Sequence, residues 1–180
     1  SLHLIIAFFI LSLILWNYFK LRIIIINQPK LNIFFPYIFL FLIFLQITIG
    51  AFVSGMDAGK IYNSWPLMGT SYFPDDNNLI NLFKMSVFND PSLVQFMHRN
   101  LAYLIMIFYL LILFKVYKQN LYGCFFAVNL VGLFLLLQII LGILTLINGA
   151  QIFLASMHQI SSIFLVSSSI YLLYINRHIN

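Results

Sequence analysis

Residues 91–109 read PSLVQFMHRNLAYLIMIFY. The stretch opens on a proline, which fits the first turn of a helix because its missing N–H has no partner there anyway. It sets His98 and Arg99 side by side, and from 101 to 114 it is almost wholly apolar. Roughly 20 mainly apolar residues cross the hydrocarbon core of a bilayer, so this is a membrane-spanning helix. A second histidine, His158, stands in the same place at the start of the last apolar run, FLASMHQISSIFLV at 153–166. Ionisable groups inside a membrane segment are costly and mark functional sites by default. Two histidines near the same end of two helices are therefore the feature to explain.

Working outward, the composition supports the class. Of 180 residues, 63% are hydrophobic and 7% charged, and the mean hydropathy is +1.02. Nine basic and four acidic side chains cannot cover the surface of a water-soluble domain of this size. The chain reads as an all-α polytopic membrane protein with five transmembrane helices. The runs are 2–19, 33–53, 93–114, 123–147 and 152–175. The first continues over 21–26 past Lys20 and Arg22, whose side chains snorkel to the headgroups. The stretch NQPKLN at 27–32 is a short polar turn, and Pro36 falls in the first turns of the second helix.

The one long polar stretch, 54–89, holds Asp57, Asp75 and Asp76, with Asp90 just beyond. Loops longer than about 12–15 residues are usually functional or disordered. Tyr62, Trp65, Tyr72 and Phe73 make this one a poor linker. Within it, 80–88 predicts a short helix lying in the interface. The last connection, 148–151, is very short.

Charge sets the expected orientation. Lys20, Arg22 and Lys30 border the first connection, Lys115 and Lys118 the third, and Arg177 follows the last helix. By the positive-inside rule these face the cytoplasm or matrix, and the loop at 54–90 and the turn at 148–151 face outside. His3, His98 and His158 then share the outer side of their helices. Lys60, Lys84 and Arg99 are exceptions there, and Arg99 asks for an anionic partner. The net charge of +5 is explained by topology, so no nucleic-acid partner is expected. The single cysteine, Cys124, allows no intrachain disulfide. The chain begins at Ser1, close to an apolar run and without a basic leader. It reads as internal to a longer protein and not as a signal peptide.

The sequence echoes itself. LQITIG at 45–50 and LQIILG at 137–142 share LQI, two residues and glycine. Each lies in the outer half of a helix that leads into a histidine-bearing helix. The last four helices thus read as a four-helix bundle of two repeated helix pairs, with the first helix outside it. A matched histidine pair at one depth fits axial ligation of a haem iron, and bundle interiors commonly house such sites. Gln46 and Gln138 are placed to bond across the bundle, and Gly50 and Gly142 to admit a flat macrocycle or a close helix. Arg99 is placed to pair with a haem propionate or a lipid phosphate. No carboxylate lies within a helix and no Cys/His spacing of zinc type occurs. The serines of the last helix read as helix packing. Two other readings stay open at this point: a di-histidine cytochrome b subunit of a quinone-linked redox complex, and a non-redox membrane subunit or transporter without haem.

The run QITIGAFVSGMDAG at 46–59, followed by YNSWPLM at 62–68, resembles the haem A synthase family in its mitochondrial and proteobacterial branch. QFMHRNLAY at 95–103 is similar to the histidine-bearing helix of that family's second half, and LQIILGILTL at 137–146 with ASMHQ at 155–159 to its closing helix pair. The resemblance covers nearly the whole chain. It implies two four-helix halves, the second holding a haem b through two histidines, here His98 and His158. The first half would hold the substrate haem O, and residues 1–26 would be its last helix, with His3 an axial ligand of that haem. Residues 33–175 would be the haem-binding bundle. The implied reaction oxidises a ring methyl of haem O to a formyl group, giving haem A for cytochrome oxidase, with haem b relaying electrons. The family's proposed catalytic glutamate has no counterpart here, since the sequence contains no glutamate. The chain therefore reads as a C-terminal part, inactive alone. Implied partners are the missing N-terminal half, an electron donor, haem O synthase or oxidase assembly factors, and membrane lipids. The implied location is the bacterial or mitochondrial inner membrane, with the C-terminus on the cytoplasmic or matrix side.

Overall fold

A computed structural model describes residues 2–21 and 29–178. Arg22 and the extension of the first run to residue 26 lie outside the described residues, as does the start of the turn at 27–32. Five helices form where the apolar runs lie: α1 (Leu2–Lys20), α2 (Phe34–Gly55), α3 (Pro91–Lys118), α4 (Tyr122–Ile147) and α5 (Ile152–His178). All five are long and apolar enough to cross a membrane. The 22 residues of α2 extend about 33 Å at 1.5 Å each, enough for a hydrocarbon core. The chain is an all-α, multi-pass membrane protein.

The start of α3 shows how local chemistry sets a boundary. Pro91 takes the first helical position. The Asp90 carboxylate accepts from the backbone N–H of Ser92 at 3.0 Å and of Leu93 at 3.2 Å. Two of the helix's unpaired donors are thereby satisfied, and α3 begins two residues before the apolar run does.

Helix α2 packs on α3, α3 on α4, α4 on α5, and α5 back on α2. That closes a ring of four helices in which α3 and α5 are diagonal partners. Helix α1 lies outside the ring, against α5 and α2. The seam is lined by buried Phe39, Ile43, Ile105, Ile112, Val128 and Val166, while Phe41, Leu110, Phe126 and Leu133 face outward. Between lipid-soluble helices apolar burial gives little drive, so close packing and buried polar bonds carry the association. Gly132 of α4 gives room to Tyr109 of α3: a Cβ there would collide with the Tyr109 hydroxyl. Asn176 of α5 is fully buried. It accepts from the Leu31 N–H at 2.8 Å and donates to the Leu31 carbonyl at 2.9 Å.

Residues 56–90 fold back over the ends of α2 and α3 that they connect. The segment 80–88 is two short 3₁₀ helices, Leu79–Phe83 and Met85–Asn89, instead of one interfacial helix. Lys84 between them is extended, at φ −92 and ψ 145, which breaks the helical hydrogen-bond ladder.

Candidate functional site: a doubled histidine and glutamine unit

Each histidine is met by the glutamine of the preceding helix. Gln46 of α2 donates through Nε2 to the His98 carbonyl at 3.0 Å and lies 3.2 Å from His98 Nε2. Gln138 of α4 donates to the His158 carbonyl at 3.0 Å and lies 3.4 Å from His158 Nε2. The glycine one turn after each glutamine sits against the ring. A Cβ at Gly50 would lie 3.0 Å from His98 Cε1, and a Cβ at Gly142 would lie 3.0 Å from His158 Cε1. The LQI-glycine echo is thus a structural unit: a carboxamide that grips the next helix's histidine, and a glycine that lets its ring approach the backbone. The bare sequence offered both residues but not their common target.

The other ring nitrogen differs from the gripped one. Nδ1 of His98 and Nδ1 of His158 are both buried and have no hydrogen-bond partner. Buried polar atoms are nearly always paired, so two orphaned imidazole nitrogens in matched units are a chemical signal. The histidines come from diagonal helices, α3 and α5. Neutral imidazole nitrogen is a donor for haem iron, and these residues fit such a pair. Among the described residues no three His, Cys, Asp or Glu side chains gather into a cage for a bare metal ion.

Arg99 binds backbone carbonyls of the loop at 56–90. Its Nη1 donates to the carbonyls of Ser64 at 2.9 Å and Leu67 at 3.3 Å, and its Nη2 to that of Tyr62 at 2.9 Å. Gln95, one turn earlier, donates to Tyr62 as well, at 3.1 Å. The loop at 56–90 is thereby tied to the turn of α3 that carries His98. Further bonds reinforce it: Trp65 Nε1 to the Tyr103 hydroxyl at 3.0 Å, and the Tyr72 hydroxyl to Asn100 at 2.6 Å. Asp76 accepts from the Ser92 hydroxyl at 2.6 Å and the Tyr62 hydroxyl at 3.0 Å. The loop also reaches the second unit, where Asn63 donates to the Leu146 carbonyl at 2.9 Å. His3 is exposed in the first turn of α1, and none of the hydrogen bonds at His98 or His158 reaches it.

Ser161 is the site residue that sequence reasoning missed. Its hydroxyl donates to Gln138 Oε1 and lies 2.9 Å from the His158 carbonyl. Its position three residues after His158, on the same helix face, was the available signal.

A multi-pass bundle of two like hairpins, each presenting a histidine gripped by a glutamine, defines a repeat-built membrane protein. The chain belongs to the COX15-CtaA family, described as cytochrome oxidase assembly protein, which matches residues 1–170. It is 44% identical to the heme A synthase of Pelagibacter ubique over 98% of this chain and 52% of that protein. It is 36% identical to that of Rickettsia felis over 97% of this chain and 53% of the relative. To that of Wolbachia pipientis wMel it is 36% identical, over 96% and 49%. The chain spans about half the length of these relatives. No solved structure matches it.

Proposed function

We propose that this chain is the haem-binding part of a haem A synthase, with His98 and His158 the axial ligands of a haem b. The doubled unit carries the reading: on diagonal helices, each histidine has one ring nitrogen at a glutamine and the other buried without a protein partner. Held by these two histidines, a haem would supply electron transfer and leave oxygen chemistry to another site. The chain's own residues do the rest. Gln46 and Gln138 orient the rings, and Gly50 and Gly142 keep space beside them. Arg99 has no carboxylate among its hydrogen bonds. Its charge, one residue from His98, is the counter-charge for a propionate at the outer face, while its Nη groups hold the loop.

In the whole protein the substrate is haem O, whose ring methyl is oxidised to the formyl group of haem A for cytochrome oxidase. His3 is an axial ligand of that substrate, shared with residues outside this chain. Residues 1–26 group with that other half, and 33–175 form the haem b bundle. The 180 residues alone are inactive in this scheme. An electron donor, haem O synthase and oxidase assembly factors are its partners. The location is a bacterial or mitochondrial inner membrane, with the C-terminus on the cytoplasmic or matrix side, in keeping with the positive-inside pattern.

The test is spectroscopic. The 180-residue chain is purified in detergent and reduced-minus-oxidised spectra are recorded for wild type, His98→Ala and His158→Ala. A low-spin b-type signal is expected in wild type and its loss in both variants. A folded wild type without haem absorbance overturns the reading.

A further inference from the structure

At the end of the bundle away from the long loop, two cations share one ring. The Lys20 ammonium, at the end of α1, lies 5.9 Å from the centre of the Trp16 ring. The Arg177 guanidinium, at the end of α5, lies 5.6 Å from the same centre and donates to the Tyr37 hydroxyl at 3.3 Å. The acidic side chains are far away: Asp57, Asp75, Asp76 and Asp90 all belong to the long loop and its border. Among the described residues the one ion pair is Lys60 with Asp57, in that loop. Two like charges held at one ring repel each other, so their surroundings favour an anion. Lys115 and Lys118, at the same end of the bundle, differ: each stands singly over its own ring, Phe35 and Phe114.

An apolar groove of about 280 Å³ adjoins this pair, between α1, α4 and α5. Phe19, next to Lys20 in the chain, joins the two places. It packs on Tyr174, which meets the Trp16 ring edge-on, and on Tyr171, which lines the groove with it. From there the groove descends past Phe126 to the stacked rings of Phe134 and Phe164, 5.3 Å apart. Tyr171 to Phe164 is about two turns of α5, roughly 10 Å. Ser167 and Ser168 in its wall donate back to the Ile163 and Leu165 carbonyls at 2.7 and 3.0 Å, so the groove meets its occupant with no unpaired hydroxyl. Cations above an apolar channel match an anionic phospholipid, phosphate at one end and acyl chain below. Basic pockets between transmembrane helices take such headgroups. We propose that Lys20, Arg177 and Trp16 hold the phosphate of an anionic phospholipid whose acyl chain lies in the groove between α1, α4 and α5. The chain fills space beside α1 where the helices by themselves forfeit dispersion contacts, and so braces that helix against the ring of four. This site does not depend on the haem reading.

Trp16 itself reports on the site, because Trp65→Phe leaves it the only tryptophan of the chain. That chain is reconstituted in phosphatidylcholine vesicles holding a minor fraction of phosphatidylglycerol brominated high in one acyl chain, or the same fraction of phosphatidylcholine so brominated. The anionic lipid is expected to quench Trp16 as strongly as an about fivefold larger fraction of the zwitterionic one, the preference that one basic side chain near a membrane gives. Lys20→Gln and Arg177→Gln are each expected to weaken this preference and together to abolish it. Lys115→Gln with Lys118→Gln removes two charges from the same end and is expected to leave it unchanged. Equal quenching by the two lipids overturns the proposal. Equal loss of preference in both double variants overturns it too, since that is the pull of a diffuse basic surface. Recovery of fluorescence on adding inorganic phosphate at constant ionic strength overturns the lipid in favour of a free anion. Ser167→Phe fills the groove and leaves both cations in place. It is expected to reduce quenching by the brominated anionic lipid, and undiminished quenching overturns the groove as the seat of the acyl chain.

Discussion

At the scale of single residues, the glycines beside the rings make the site demanding. Alanine has the higher helix propensity by about 1 kcal/mol, so Gly50→Ala and Gly142→Ala would ordinarily favour their helices. Here each new Cβ meets a histidine Cε1 at 3.0 Å, closer than ordinary carbon contacts near 3.5–4.0 Å. The ring must yield, and it has little freedom while a glutamine grips it. Both substitutions are expected to lower the haem-to-protein ratio of the purified chain severalfold, measured from haem absorbance against protein content. Gly55→Ala is the control, since a Cβ there has nothing within 4 Å, and it is expected to leave the ratio unchanged.

At the scale of elements, the loop at 56–90 and the first three turns of α3 behave as one piece. Arg99 holds three loop carbonyls. Hydrogen bonds from a charged group contribute roughly 1.5–3 kcal/mol each where geometry is good. Arg99→Gln is therefore expected to raise amide hydrogen exchange over residues 62–67 by about tenfold or more, since 1.4 kcal/mol is a factor of ten. The loop's carboxylates add a pH dependence. Burial pushes the Asp76 carboxyl up, but bonds from Ser92 and Tyr62 outweigh it and hold the group below its ordinary 3.8. The Thr70 N–H, followed by the Ser71 hydroxyl, lowers Asp75 from the same value. A carboxylate depressed in the folded state stabilises it above the unfolded pKa, and that stability is lost as pH falls through the lower folded value. Loop exchange, corrected for intrinsic rates, is thus expected to stay level down to about pH 4 and to rise only below it.

At the scale of the whole molecule, the end of the bundle away from the long loop is closed by a polar bond inside an apolar packing. Asn176 carries both backbone groups of Leu31, and so joins the end of α5 to the connection that enters α2. Removing it leaves a buried N–H and a buried carbonyl unpaired, each costing about 1–3 kcal/mol. Asn176→Ala is expected to lower stability by about 2 kcal/mol or more, read as a fall in the thermal midpoint in detergent. Near the same end, the Arg177 guanidinium lies 5.6 Å from the centre of the Trp16 ring. This contact joins α1 to the bundle although that helix stands outside the ring of four.

The sequence by itself determined the class, the number of helices and the duplication. Hydropathy and chain length are enough for that, because a bilayer accepts only long apolar helices from a chain of this composition. It also supplied His98, His158, Gln46, Gln138 and both glycines, since a repeat shows in letters as well as in space. It did not reveal which groups meet. That Arg99 turns to loop carbonyls depends on a 35-residue loop folding back over α3, a path that local periodicity does not encode. The pairing of Gln46 with His98 follows from the register between neighbouring helices, which packing sets. Lys20 and Arg177 were legible as basic side chains that set orientation. That both stand at the Trp16 ring was decided only by the tertiary structure, because charges far apart in the chain meet through the packing of α1 on α5.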